Sequence, residues 1–488
     1  MQPMEPWSRA FAGRIEERVI ESRALAGNPL GDPHRRPIYV YLPPGYDEEP
    51  ERRYPTIYVI QGLTGQLDMW RNRRAFSPTP LERTDELFAA ADAPPPAIVV
   101  YLDAWTSLGG SQFLDSPATG RYHTYLVEAV AWVDAHYRTL ARREHRGIAG
   151  KSSGGYGAMV TPMLRPDLFA GFATHAGDAL FEVSYEPDLR EAARALRDHY
   201  DGSYDAFWAD LRSRPGRSRK TDGALLNVYC MAACYSADAD GVVRLPFELG
   251  TGRLLPEVWD RWLAWDPVRM APQRAEALRS MRAIWIDAGR SDDFYLDLGA
   301  EAFRRQIDAL QVDGDVYFEL FDGTHANIDW RYPLAIRFLA ERLAGSLGER
   351  YVDRPFATPS TGARMQPGRT ILVVDDEPAI REMLEEVLAD EGHRVVTAAD
   401  GAAALDHLRS DDASLPCLIL LDLMMPRMDG WQFAEELRAD PELAEIPFAL
   451  ISANPAYASE TEKLGACRWL GKPLRLDDLL GAVEELCS

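Results

Sequence analysis

Cysteine is scarce: five stand among 488 residues, at positions 230, 234, 417, 467 and 487. An odd number with no framework spacing excludes a disulfide-stapled fold and suits a reducing compartment. Cys230 and Cys234 lie one helical turn apart, but neither a histidine nor a second cysteine pair accompanies them, so they read as buried core thiols. Long apolar runs are missing too. No stretch of 18 uncharged apolar residues occurs, which leaves no candidate membrane span and predicts no membrane insertion. Positive charge is in deficit, 53 Lys and Arg against 76 Asp and Glu, for a formal net charge of −23. That balance argues against nucleic acid as a partner, and no helix-turn-helix or other DNA reader fits the chain. Residues 1 to 17 carry Glu5, Arg9, Arg14, Glu16 and Glu17 without an apolar signal core, so a cytoplasmic location is expected.

A chain of this length exceeds one ordinary core, and the charge shows where it divides. From Thr370 onward there are 9 basic and 25 acidic residues, so a quarter of the chain holds most of the negative excess. Residues 350–369, RYVDRPFATPSTGARMQPGR, contain three prolines and two glycines with little apolar periodicity, and read as a linker. The expected organisation is a first domain over 1–349, this linker, and an acidic module over 370–488.

The first domain alternates strands with helices, which predicts an α/β fold with a mostly parallel sheet. Strands are expected at 37–42, 56–60, 97–102, 145–149, 171–175, 282–287 and 316–321, with helices at 122–140 and 332–347. Between about 181 and 280 the pattern loosens into helical pieces rich in Trp and Tyr. An insertion there forms a cap over the strand ends, where open α/β sheets bind ligands.

The stretch Gly150-Lys-Ser152-Ser-Gly-Gly-Tyr-Gly-Ala158 directly follows a short strand and opens a helical segment. Gly-x-Ser-x-Gly in that setting is a nucleophile elbow, where a serine stands on a strained turn and glycines leave room for close backbone approach. A serine nucleophile needs a base, and the base an orienting acid, in the chain order Ser, acid, His. Asp292 follows a strand and is the candidate acid, with Asp293 the close alternative and Asp178 a third. His325 is the histidine on a loop directly after a late strand. For the oxyanion, Ser153 supplies one backbone N–H and the Gly62–Gly65 loop the other, through Leu63.

These residues resemble the esterase family of α/β-hydrolases that includes S-formylglutathione hydrolase, enterochelin esterase and the mycolyltransferases. The resemblance covers roughly residues 20 to 345 and rests on Gln61-Gly-Leu-Thr-Gly65, Gly150–Ala158, Gly289-Arg-Ser-Asp-Asp-Phe294 and Gly323-Thr-His325. It implies serine hydrolysis of a small-molecule ester or thioester through an acyl-enzyme, without a cofactor. An acyltransferase would use the same three side chains.

The acidic module reads as five βα units. Strands end at Asp375-Asp376, Asp422, Ser452 and Gly471-Lys472, so three carboxylates, a hydroxyl and a lysine meet at the carboxyl edge of one sheet. Oxygen ligands of this kind suit Mg²⁺, and metal plus lysine would neutralise a phosphoryl group arriving on one aspartate. The module resembles a response-regulator receiver domain, which has a flavodoxin-like (βα)5 fold. By that resemblance Asp422 is the phosphoacceptor, and Asp375, Asp376, Asp422 and Met424 surround Mg²⁺. Ser452 and Lys472 contact phosphoryl oxygens, and a sensor histidine kinase or phosphotransfer protein is the partner. Trp469 stands where that family usually has Tyr or Phe. The expected whole is an esterase regulated by its receiver. The contrasting expectation is a phosphorelay adaptor or phosphate sink whose hydrolase domain binds without turnover.

Overall fold

The computed structural model describes residues 10–72, 78–215, 219–326, 328–345, 369–390, 393–410, 415–441, 443–452, 464, 466–471 and 476–487. The chain divides into two compact units, Met1–Val352 and Asp353–Ser488. Of the expected linker, only Arg369 lies within the described residues.

The first unit is built on eight strands: β1 (Arg14–Glu21), β2 (Arg35–Leu42), β3 (Thr56–Ile60), β4 (Ile98–Leu102), β7 (Arg146–Lys151), β8 (Gly171–His175), β9 (Ala283–Gly289) and β10 (Asp315–Phe321). A separate two-stranded ribbon joins β5 (Asp115–Ser116) to β6 (Gly120–Arg121). The sheet order is β1-β2-β4-β3-β7-β8-β9-β10. Only the β1–β2 and β2–β4 pairs are antiparallel. β3, β4, β8 and β9 are buried along their whole length, as near-continuous apolar runs in the middle of a parallel sheet require. The closing helix, Arg331–Ala344, lies across β7, β8 and β9. Gly147 and Gly171 make room for its Leu339 and Leu343.

The helix expected over 122–140 stops at His136. Tyr137 is extended, and the backbone beyond it pairs with Tyr54: Tyr54 N–H donates to Arg138 O at 2.9 Å and Leu140 N–H to Tyr54 O at 2.8 Å. A strand-like partner thus takes the groups another helical turn would have used.

The insertion between β8 and β9 holds helices Phe181–Ser184, Glu186–Tyr200, Tyr204–Ser213, Asp222–Tyr235, Pro256–Leu263, Pro267–Gln273 and Ala275–Arg279. Its aromatic residues extend the core that covers the sheet and the helix after β7. Trp262 packs on Tyr185 at 5.5 Å and Tyr235 at 5.4 Å, and Tyr235 in turn meets Tyr156 of the elbow helix at 5.7 Å. Asp266 closes the insertion by accepting N–H bonds from Leu180, Phe181 and Val268.

The second unit has five parallel strands, β11 (Thr370–Val374), β12 (Arg394–Ala398), β13 (Leu418–Asp422), β14 (Phe448–Ser452) and β15 (Arg468–Gly471), in the order β12-β11-β13-β14-β15. This is the flavodoxin-like order, whose switch point lies between β11 and β13. One sequence expectation is corrected here. Cys417 and Cys487 are joined in a disulfide with Cα atoms 5.2 Å apart. The parallel fold lays the end of the last helix, Leu476–Leu486, beside the start of β13, a proximity that spacing along the chain does not reveal. Cys230 and Cys234 are free and buried, in keeping with core thiols.

Candidate functional site

β7 runs straight into Ser152, which has φ 57° and ψ −128° before the helix Ser153–Leu164 begins. Positive φ in a serine is strained backbone, held only because the surroundings leave no alternative. Here the constraint is visible. A Cβ on Gly150 would stand 2.3 Å from Gly154 O, and one on Gly154 would stand 2.5 Å from Ile60 O. Ser152 N–H donates to His175 O at 2.9 Å, which ties the turn to β8. The loop carrying Leu63 touches the elbow: a Cβ on Gly62 would lie 3.4 Å from Ser152 Cβ.

Two loops beyond β9 and β10 bring acid and base together. His325 Nδ1 lies 2.8 Å from Asp292 Oδ2. The Asp292 side chain is fully buried, and its other oxygen accepts N–H bonds from Phe294 at 2.9 Å and Leu296 at 3.3 Å. Asp292 therefore both holds the N–H of Leu296, the first residue of the helix Leu296–Leu310, and meets the imidazole. Asp293 Oδ2 instead accepts the backbone N–H of His325, at 3.4 Å. The Phe294 ring packs edge-on against the imidazole at 4.9 Å.

Asp178 is engaged elsewhere. Its Oδ2 accepts from Ser153 Oγ at 3.1 Å, Gln112 Nε2 at 3.1 Å and Tyr185 OH at 2.9 Å. Burial pushes its carboxyl up from the usual range, against these three hydrogen bonds and the charge of His325.

Sequence reasoning missed a second buried pair behind the elbow. His175 Nδ1 lies 2.7 Å from Asp287 Oδ1, both side chains fully buried. Asp287 Oδ2 also accepts from Trp285 Nε1 at 2.7 Å and Arg331 Nε at 2.8 Å, and Arg331 reaches on to Glu319. Burial alone would raise the Asp287 carboxyl. The charges of His175 and Arg331, with hydrogen bonds from His175 and Trp285, hold it below its ordinary value. The available signal was an aspartate inside the apolar run Ala283-Ile-Trp-Ile-Asp287, since a buried charge demands partners.

In the second unit, Asp375, Asp376 and Asp422 each offer a carboxylate oxygen within 4.8 Å of the others. Asp375 and Asp422 are buried, Asp376 more open. Asp375 Oδ1 accepts Glu377 N–H at 3.0 Å and Asp422 Oδ1 accepts Met424 N–H at 3.1 Å. The Met424 side chain is exposed, and Ser452 is buried at the end of β14. Lys472 lies outside the described residues. The donor set is all oxygen and strongly anionic, which fits a hard divalent cation.

The fold and these sites define an α/β-hydrolase joined to a receiver module. The chain matches the family described as "Putative esterase" over residues 33–339 and the response regulator receiver domain over 371–484. It belongs to that esterase family and carries a C-terminal receiver domain. Among similar proteins are the response regulator Rre1 of Synechocystis, 34% identical over 122 residues, and the response regulator MprA of Mycobacterium avium, 37% identical over 118. Each alignment takes in 24% of this chain, which spans about half the length of those curated relatives (52% and 50%). Similar solved structures include a ferulic acid esterase at 18% identity, with 68% of this chain and 99% of that one aligned and a TM-score of 0.43. An S-formylglutathione hydrolase from Agrobacterium tumefaciens aligns at 17% identity over 69% and 98% of the two chains, TM-score 0.41. Among the described residues no helix is long and apolar enough to cross a membrane.

Proposed function

We propose that the protein is a serine esterase regulated by phosphorylation of its receiver domain. The observation that carries the hydrolytic part is the Asp292–His325 contact at 2.8 Å, together with the strained backbone of Ser152. In this reading Ser152 Oγ attacks the ester carbonyl and His325 takes its proton through Nε2. Asp292 holds the ring with Nδ1 protonated and stabilises the imidazolium that forms. In this reading substrate binding brings Ser152 Oγ and His325 Nε2 into hydrogen-bond reach. The N–H groups of Ser153 and Leu63 stabilise the oxyanion. His325 then protonates the departing alcohol, and water repeats the cycle on the acyl-enzyme.

In the receiver, Asp422 accepts a phosphoryl group from a histidine kinase or phosphotransfer protein. Asp375, Asp376, Asp422 and the Met424 carbonyl would hold Mg²⁺, which supplies charge neutralisation for phosphoryl transfer. Ser452 and Lys472 contact the phosphoryl oxygens. Regulation follows if the two phosphorylation states make different contacts with the rest of the chain.

The test is hydrolysis of short p-nitrophenyl esters by wild type and Ser152→Ala, with and without Mg²⁺ plus beryllofluoride. The expected result is activity that needs Ser152, changes with the phosphoryl mimic and ceases to respond in Asp422→Asn. Ser152-dependent activity indifferent to the mimic would remove the regulatory part. No activity above the Ser152→Ala blank across several acyl lengths would remove the esterase part.

A further inference from the structure

The loop after β4 contains none of the residues assigned above, yet it touches both sides of the elbow. A Cβ on Gly109 would stand 3.1 Å from Leu63 Cδ1, and one on Gly110 would stand 3.1 Å from Leu63 Cα. The two glycines therefore lie directly against the residue proposed to donate one oxyanion hydrogen bond. Two residues later the chain enters the left-handed region twice in succession, at Gln112 (φ 50°) and Phe113 (φ 53°). Consecutive non-glycine residues in that region persist only where surrounding contacts dictate the backbone. Phe113 is wedged against the elbow helix, where a Cβ on Gly157 would meet its ring at 2.4 Å.

Gln112 is fully buried, and its Nε2 donates to Asp178 Oδ2 at 3.1 Å and to Tyr235 OH at 2.8 Å. Asp178 in turn holds Ser153 Oγ, on the residue proposed to supply the other oxyanion donor. The same loop is gripped from behind by Cys230 Sγ, which donates to Gly110 O at 2.9 Å. Cys230 and Tyr235 both belong to the helix Asp222–Tyr235 of the insertion. One helix thus reaches Leu63 through Cys230 and Gly110, and Ser153 through Tyr235, Gln112 and Asp178.

We propose that the loop Gly109–Phe113, locked to the helix Asp222–Tyr235 by Gln112, positions both donors of the oxyanion hole. Gln112 and Asp178 are its positioning residues. The inference rests on the esterase reading and extends it to residues that touch no substrate. Oxyanion donors act by being placed before charge develops, and a shift of about 1 Å at a reacting centre can cost about 10²-fold in rate. A loop in simple core packing would influence stability alike for every reaction. A loop that aims two N–H groups at an oxyanion influences the oxygen ester selectively.

The test uses the full chain and two substrates, p-nitrophenyl acetate and its thionoester counterpart, in which sulfur replaces the carbonyl oxygen and accepts hydrogen bonds poorly. Gln112→Met keeps the length of the side chain and removes both hydrogen bonds. It is expected to lower kcat for the oxygen ester by about 10²-fold with KM within about threefold, and to lower the ester-to-thionoester ratio of kcat/KM by about tenfold. Tyr235→Phe removes one hydroxyl and should move the ratio in the same direction by less. It carries the test alone if Gln112→Met does not fold. An unchanged ratio in a folded variant, with equal losses or none on the two substrates, would overturn the proposal while leaving the esterase reading intact. A wild type with no Ser152-dependent turnover would overturn both.

Discussion

Replacing Asp292 by asparagine separates its two structural duties. One carboxylate oxygen accepts Phe294 and Leu296 N–H bonds, and the other faces His325 Nδ1 at 2.8 Å. An asparagine satisfies the two backbone donors only with its carbonyl oxygen, which turns its NH₂ toward the imidazole. Nδ1 must then accept, the ring proton moves to Nε2, and Nε2 can no longer take a proton from Ser152. We expect kcat to fall about 10⁴-fold, equivalent to about 5 kcal/mol of transition-state stabilisation. The N–H groups of Phe294 and Leu296 keep their acceptor, so thermal stability should barely move. Asp292→Ala should leave those two N–H groups without this acceptor as well, at about 1 kcal/mol of stability. Asp293→Ala should stay within about threefold of wild type, because its 3.4 Å contact to the His325 backbone is long and weak. The assay is initial rates on a p-nitrophenyl ester beside thermal melts of all three variants. Activity in Asp292→Asn within tenfold of wild type, or collapse in Asp293→Ala alone, would refute this assignment of the acid.

Asp287→Asn should destabilise the first unit by about 3–5 kcal/mol, because it leaves buried Arg331 and His175 without their shared carboxylate. The Asp287 carboxyl is held below its ordinary value, so its stabilisation is complete above about pH 4 and fades as pH falls through the depressed folded value. Denaturation curves should therefore show the gap between variant and wild type narrowing in acid; a widening gap would contradict the ion-pair account. Gly150→Ala places a Cβ 2.3 Å from Gly154 O, backbone that has nowhere to move, and should cost about 3 kcal/mol. Labelling of Ser152 by a fluorophosphonate should fall with it, and labelling at the wild-type rate would show the elbow to be more tolerant than its geometry implies. The Cys417–Cys487 bond closes a sequence separation of 70 residues and, in the oxidised protein, should stabilise the second unit by about 4 kcal/mol. Denaturation with and without dithiothreitol measures this, and Cys487→Ser should match the reduced protein and ignore the reductant.

Much of this architecture is written locally. Periodicity and turn placement locate β3 and β8 to the residue, because a short, largely apolar stretch between turn residues suits a strand buried on both faces. The elbow is equally legible, since the strained turn at Ser152 tolerates nothing larger than glycine at 150 and 154. The flavodoxin-like order is implied by five short βα units, and the carboxylates at the ends of β11 and β13 must then share one edge. The first-unit helix that ended four residues early did so because a partner distant in sequence, Tyr54, competed for its backbone.

What tertiary structure alone decided is convergence between side chains far apart in the chain. Asp292 and Asp293 are indistinguishable by type and position, and only the turn beyond β9 sends one to the imidazole and the other to the backbone. His175 and Asp287 are 112 residues apart and become a buried pair because β8 and β9 are neighbours in the sheet. Gln112 carries no motif, and its place follows from packing of the insertion helix against the elbow. Local patterns determine which elements form and where a reactive group can stand. The order in which those elements pack determines which groups meet, because a contact at 3 Å depends on every strand and loop between its partners.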